Sequence, residues 1–194
     1  MSMQLVLASG SPRRKELLSH LGVDFVVRIP QVDESVKAHE LPEQYVRRVA
    51  SAKAEAIGGD VVLGADTCVV LDGQIYGKPY DLKHAEAMLW DFSGKVHTVM
   101  TGIAIQTRNL LLREVVRTNV EFVSLDQSLV DWYLNLGESS DKAGAYALQG
   151  AGSSLVKAID GSHSNVIGLP LVETASLLTQ AGVTLRSSSE SNKL

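Results

Sequence analysis

Residues 5–18 read LVLASGSPRRKELL. Leu5–Ala8 is a short apolar run of strand character, and Leu17, Leu18 and Leu21 recur at helical spacing. Between them, Ser11 is placed to cap a helix and Pro12 takes the favoured first position. The stretch predicts a strand, a tight turn and a helix start. Its charge runs against the helix. An N-terminal turn carries partial positive charge, so Arg13, Arg14 and Lys15 each cost about 0.3–1 kcal/mol unless something offsets them. One explanation is a solvated charge cluster. The other is an anion site, with Ser9, Ser11, backbone N–H groups and the two arginines converging on phosphate.

Working outward, strands and helices alternate without a repeat or a long linker. VDFVVRIPQVDES is extended, and the stretch from Leu41 to Gly59 is a helix with Tyr45, Val46, Val49, Ala50 and Ala54 near one face. Residues 61–79 read as strand, irregular centre and strand, with a turn at Asp72-Gly73. A helix over 82–92, two β-rich stretches at 96–107 and 110–125, and a helix capped by Asp126 follow. SSDKAGAYALQGAG is a glycine-rich loop, SSLVKAID a strand, 161–165 a loop, and Pro170 starts a last helix. Residues 1–186 form one unit and 187–194 a disordered tail. The expected class is α/β with a mixed sheet.

Bulk composition narrows the function. The 194 residues are 45% hydrophobic, enough for one good core or two small lobes sharing a cleft. A formal net charge of −4 gives no general attraction to nucleic acid or anionic membrane, so any anion site must be local. The single cysteine, Cys68, lies in an apolar run and fits a buried thiol in a reducing compartment. No apolar stretch approaches a membrane span, and the chain is expected in the cytoplasm. The five histidines lack ligand spacing, and Trp90 and Trp132 are expected in the core.

Several side chains stand out. Asp66, in VLGADTCVV, is a carboxylate in an apolar strand, which costs several kcal/mol unless paired, hydrogen-bonded or metal-bound. It is either a satisfied aspartate at a Gly64 bulge or an acid with a task where the strand is interrupted. Lys53 in ASAKAEA and Lys78 in YGKP each read most simply as surface lysines. GQIYGK imitates a phosphate-binding loop but is one residue short and has Pro79 where Ser or Thr belongs. Glu34 in QVDES is a turn cap or a second carboxylate, and Gln149 a loop amide or a reader of a base.

Taken in order, LASGSPRRKELL, VDES, ASAKA, LGADT, YGKP, HTVMTG, DKAGAYALQG and NVIGLPL resemble the motifs of the Maf-type nucleoside triphosphate pyrophosphatases, from about Leu5 to Glu173. The resemblance implies two lobes around a central cleft, an architecture related to inosine triphosphate pyrophosphatases, and a homodimer. It implies hydrolysis of a nucleoside triphosphate to the monophosphate and pyrophosphate, with a divalent metal, Mg²⁺ or Mn²⁺. Asp66 matches the family's proton acceptor and Ser9, Arg13, Arg14, Lys53 and Lys78 its phosphate contacts, beside Ser11 from the local reading. Glu34, with Asp66, matches the metal carboxylates, and Arg13, Thr67 and Gln149 the positions tied to substrate choice. That pattern belongs to the branch acting on dTTP and UTP. The alternatives are the branch acting on 7-methyl-GTP, which has tryptophan after the Ser-Pro, and a regulatory nucleotide-binding protein in septum formation. A nucleic-acid-binding module is disfavoured by acidic balance and 5% aromatic content.

The implied chemistry carries an expectation for Asp66. A unit positive charge ~4 Å away is worth ~4 kcal/mol at an effective dielectric of ~20. Counting cations alone, Asp66 is ionised at neutral pH and a weak base, which a metal-acidified water would remedy.

Overall fold

The structure is a computed structural model that describes residues 3–185. The expected tail at 187–194 and the two ends of the 1–186 unit lie outside the described residues. The elements are β1 (Leu5–Ala8), α1 (Pro12–Ser19), β2 (Phe25–Arg28), α2 (Pro42–Glu55), β3 (Val61–Leu71), β4 (Gln74–Tyr76), α3 (Leu82–Phe92), β5 (Val96–Thr107), β6 (Leu111–Phe122), α4 (Gln127–Asn135), β7 (Val156–Asp160), α5 (His163–Ile167) and α6 (Leu171–Gln180). Two 3₁₀ turns, Ala143–Ala145 and Ala151–Leu155, interrupt the glycine-rich segment.

The predicted caps form. Ser11 Oγ accepts from Arg14 N and Asp126 Oδ1 from Leu129 N, and Asp81, not named from the sequence, caps α3 by accepting from His84 N. Pro12 opens α1, as its fixed φ favours. Residues 161–165 differ from the expected loop: Ser162 caps a helical turn, accepting from Asn165 N at 3.2 Å. Its five residues are too few for periodicity to reveal.

Among the described residues, seven strands form one mixed sheet in the order β2-β1-β3-β5-β6-β7, with β4 beside β3. β1 is parallel to β2 and β3, and the other pairs are antiparallel. One edge of β3 pairs with β5 from Val61 to Val70. The other edge is shared. β1 covers Val61–Gly64 and β4 covers Val69–Leu71, so residues 65–68 have no strand beside them there. The cleft opens at that gap.

The same division makes two lobes out of one sheet. Leu5, Leu7, Leu17, Leu18, Leu63, Ile103, Ile105 and Leu178 form a core around α1 and α6 at one end. Val69, Met88, Leu89, Phe92, Phe122, Tyr133 and Tyr146 form another around α3 and α4. The long strands β3, β5 and β6 run through both, as the expected two-lobed mixed α/β architecture requires. Trp90 and Trp132, expected in the core, are 37% and 45% exposed. They lie on faces of α3 and α4 turned from their buried residues, where helical periodicity overrides size.

β3 is continuous through its centre rather than irregular. Gly64 is no bulge, since it keeps register with both Ala8 and Ala104. A Cβ at Gly64 would fall 2.2 Å from Ala50 O, and one at Gly102 would fall 2.3 Å from Val46 O. The two glycines let α2 lie with its backbone against the sheet.

Candidate active site

Strand alternation decides which way each candidate points. Even-numbered residues of β3 face α2 and odd-numbered residues face α1 and α5. Asp66 therefore meets α2 and Thr67 meets α1, although the two are adjacent. At the open edge both line one cleft of about 660 Å³, with Ser9, Ser11, Arg13, Arg14, Glu34, Lys53, Lys78 and Gln149 also in its walls. The ten candidate site residues named from the sequence are thus brought together.

Asp66 is 5% exposed. Its Oδ1 accepts from Lys53 Nζ at 2.8 Å, and Oδ2 is buried with no hydrogen-bond partner among the described residues. Burial raises the carboxyl above its ordinary value, while Lys53 and Arg14 pull the other way. This corrects the cation-counting expectation of a weak base. Charges were visible in the sequence, but the desolvation they compete with was not. Lys53 is likewise no surface lysine. It is 6% exposed on the buried face of α2, and its ammonium also lies 3.0 Å from Glu34 Oε2.

Glu34 is placed by its neighbours' backbone bonds. Tyr45 Oη donates to Glu34 O at 3.1 Å, while Arg48 donates to Ser35 O at 2.9 Å and to Asp33 O at 3.4 Å. Arg48 also grips Glu40 through Nε and Nη2 at 2.6 and 2.8 Å, a bidentate pair that lowers the Glu40 carboxyl to about 2. Residues 33–40 are thereby clipped to α2.

The cations of α1 find partners away from the helix axis. Arg14 donates from Nε to Gly168 O at 2.8 Å, from Nη2 to Thr67 Oγ1 at 2.9 Å and from Nη1 to Ser9 Oγ at 3.4 Å. Burial lowers its pKa, opposed by Asp66 and Glu34. Arg13 Nη1 reaches Asp141 Oδ2 at 3.5 Å across the cleft, and Lys142 also pairs with Asp141. Lys78 and Gln149 are exposed at the rim. Gly77 O accepts from Gly144 N at 3.0 Å, which ties the Lys78 loop to the glycine-rich segment.

Five cations (Arg13, Arg14, Lys53, Lys78 and Lys142) line the cleft against three carboxylates. On a chain with formal net charge −4, this is a local positive site. Tyr45, Asp141, Thr101 and Asn165 were not singled out from the sequence. Thr101 and Asn165 fall within motifs quoted above, but a buried threonine and asparagine look ordinary until their partners are known.

The site of this α/β protein is thus a buried acid at the floor of a cleft with more cations than carboxylates, at the open edge of a mixed sheet. The model for the family described as Maf-like protein matches residues 4–181, and the chain belongs to that family. It is 50% identical over 189 residues to the dTTP/UTP pyrophosphatase of Anaeromyxobacter dehalogenans (strain 2CP-C), covering 95% of this chain and 97% of the relative. It is 46% identical to the dTTP/UTP pyrophosphatase of Symbiobacterium thermophilum, covering 92% and 94%, and 46% identical to that of Shewanella oneidensis, covering 93% and 100%. Among solved structures, the Staphylococcus aureus Ham1 protein matches with a TM-score of 0.44 at 16% identity over 61% of this chain and 71% of that one, too slight to carry an argument.

Proposed function

We propose that this chain is a nucleoside triphosphate pyrophosphatase that hydrolyses dTTP and UTP to the monophosphate and pyrophosphate, a nucleoside triphosphate diphosphatase. The observation that carries the reading is the Asp66 carboxylate, buried and with a free Oδ2, in a cleft of net positive charge. Relatives that align with nearly the whole chain and bear that name support the substrate class.

A triphosphate brings about four negative charges at neutral pH; the lining side chains carry a net of two positive charges, and a divalent ion would supply the other two. Asp66 Oδ2 receives the proton of a water attacking the α-phosphorus in line. Its raised pKa makes it a stronger acceptor than an exposed aspartate. Arg14 and Lys53 stabilise charge developing on the phosphate oxygens, and Arg13 and Lys78 cover the departing pyrophosphate. Gln149 at the rim offers one donor and one acceptor, complementary to the imide edge of uracil or thymine.

Glu34 and Asp66 fit a hard divalent ion. Both are carboxylates at the cleft, and between them they share a single ammonium, that of Lys53. Among the described residues no cluster of three or more metal-ligating side chains exists, so phosphate oxygens and water would complete the shell, as Mg²⁺ and Mn²⁺ accept. When bound, the ion supplies charge neutralisation and a more acidic water. The reading also carries a homodimer and a cytoplasmic place, which light scattering and fractionation test directly. Among the described residues no helix is long and apolar enough to cross a membrane.

Pyrophosphate release from dTTP, UTP, CTP, dGTP and 7-methyl-GTP, with Mg²⁺ or Mn²⁺, tests the function. Preference for dTTP and UTP is expected. Preference for 7-methyl-GTP moves the chain to the sister branch, and binding without turnover moves it to a regulatory role in septum formation.

A further inference from the structure

Among the cations that line the cleft, Arg14 is the one whose aim the protein determines most fully. Of its five N–H groups, three are committed to Gly168 O, Thr67 Oγ1 and Ser9 Oγ, leaving one on each terminal nitrogen for a ligand. Behind Thr67 the contacts continue inward. Thr67 Oγ1 lies 2.9 Å from Thr101 Oγ1, and Thr101 Oγ1 lies 3.1 Å from the backbone oxygen of Asn165.

The direction of this chain is settled by its ends. Guanidinium only donates and a carbonyl only accepts, and each hydroxyl has a single proton. Thr101 must give its proton to Asn165 O, so the proton between the two threonines belongs to Thr67. The sequence is Arg14 to Thr67 to Thr101 to Asn165, each link polarising the next. Thr67 therefore has no proton left for a substrate. The Asn165 carbonyl is anchored in turn, because Asn165 Nδ2 donates to Val99 O at 3.1 Å and to Thr118 Oγ1 at 2.9 Å. Thr101 and Asn165 are both fully buried, and neither lines the cleft.

The geometry points to Thr101 and Asn165 as positioning residues that act through Thr67 to aim the two free N–H groups of Arg14 at an anion in the cleft. This rests on the reading of the cleft as a triphosphate site. It also assigns Thr67 its influence: it sets the angle of the arginine rather than touching a base.

The test measures calorimetric binding of inorganic triphosphate, dTTP turnover and melting temperature for wild type, Thr101→Val and Thr101→Ser, each also in an Arg14→Lys background. Thr101→Val is expected to weaken triphosphate binding and lower kcat/KM about tenfold, the scale of one buried hydrogen bond. Thr101→Ser keeps both within about twofold, and Thr101→Val has no further effect once Arg14 is lysine. Unchanged binding in Thr101→Val overturns the proposal. So do equal losses in the valine and serine variants, or an undiminished loss in the Arg14→Lys background. Should Thr101→Val fail to fold, Thr67→Val at its half-buried position takes its place, and wild-type binding there overturns it. Absent turnover with intact triphosphate binding counts against the hydrolase reading alone, and absent binding in wild type overturns both.

Discussion

The Lys53 ammonium stands 2.8 Å from the Asp66 carboxylate, with 8% and 7% of the two side chains exposed. A buried ion pair of this kind contributes little to stability compared with apolar side chains of the same volume. Its value lies in keeping a charged carboxylate inside the protein, where one edge of β3 lacks a neighbouring strand.

Asp66→Asn removes that acceptor while preserving shape. Pyrophosphate release is expected to fall at least ~100-fold. Lys53 keeps Glu34 as a partner, so the far-ultraviolet circular dichroism spectrum is expected to stay native. Near-normal turnover would remove Asp66 from the chemistry.

Lys53→Met separates the two effects of the ammonium. Lys53 lowers the Asp66 pKa against the pull of burial, so its loss raises that pKa further. A base with a higher pKa is lost to protonation at higher pH. The acid limb of kcat/KM is therefore expected to move up by about 1 pH unit, on top of a lower plateau. A fall in plateau with a stationary limb would show that Lys53 serves phosphate only.

Glu40→Gln loosens the clip that holds Glu34. The Arg48 guanidinium lowers the folded Glu40 carboxyl from 4.5 to about 2, so its stabilisation is complete above the unfolded value and is lost as pH falls toward about 2. The variant is expected to melt lower than wild type at neutral pH, and the difference to shrink below pH about 4.5 and close only as pH falls to about 2. Amide exchange over residues 33–40 should rise in the same variant.

His97 makes acid sensitivity of a second kind. It is buried among Phe92, Phe122 and Tyr146, and burial lowers its pKa from 6.5 to about 4. Below pH about 6.5 the unfolded chain binds a proton that the folded one refuses, which costs about 3 kcal/mol by pH about 4. His97→Gln is expected to flatten wild-type loss of melting temperature across that window. An unchanged slope would place the acid sensitivity elsewhere.

Gln149→Glu replaces a donor and an acceptor by an acceptor alone, at the exposed rim of the cleft. Turnover of dTTP and UTP is expected to fall more than that of dGTP. An unchanged ranking would deny Gln149 a part in choosing the base.

What the sequence made legible was the local grammar. Ser11-Pro12 and Asp126 start helices through bonds to residues three positions away, and such short-range contacts can be read from order alone. Asp66 was visible because an acid in an apolar strand is expensive wherever it lies. Lys53 was harder. Its burial depends on α2 pressing against β3, a long-range contact that no property of ASAKAEA announces. The same holds for Thr101 and Asn165, whose significance rests on a partner 34 positions away in one case and 64 in the other. The uninterrupted β3 was missed because Gly64 signals a bulge and a close helix equally well.

The bare backbone at Gly64 and Gly102 also bears on how the protein fails when heated. With Ala50 O and Val46 O filling the space where two Cβ atoms would stand, α2 cannot slide or lift without parting from the middle of the sheet. The ammonium it carries cannot leave the carboxylate while the sheet remains whole. Thermal inactivation and global unfolding should thus trace one curve, with no warm, inactive but folded state between them.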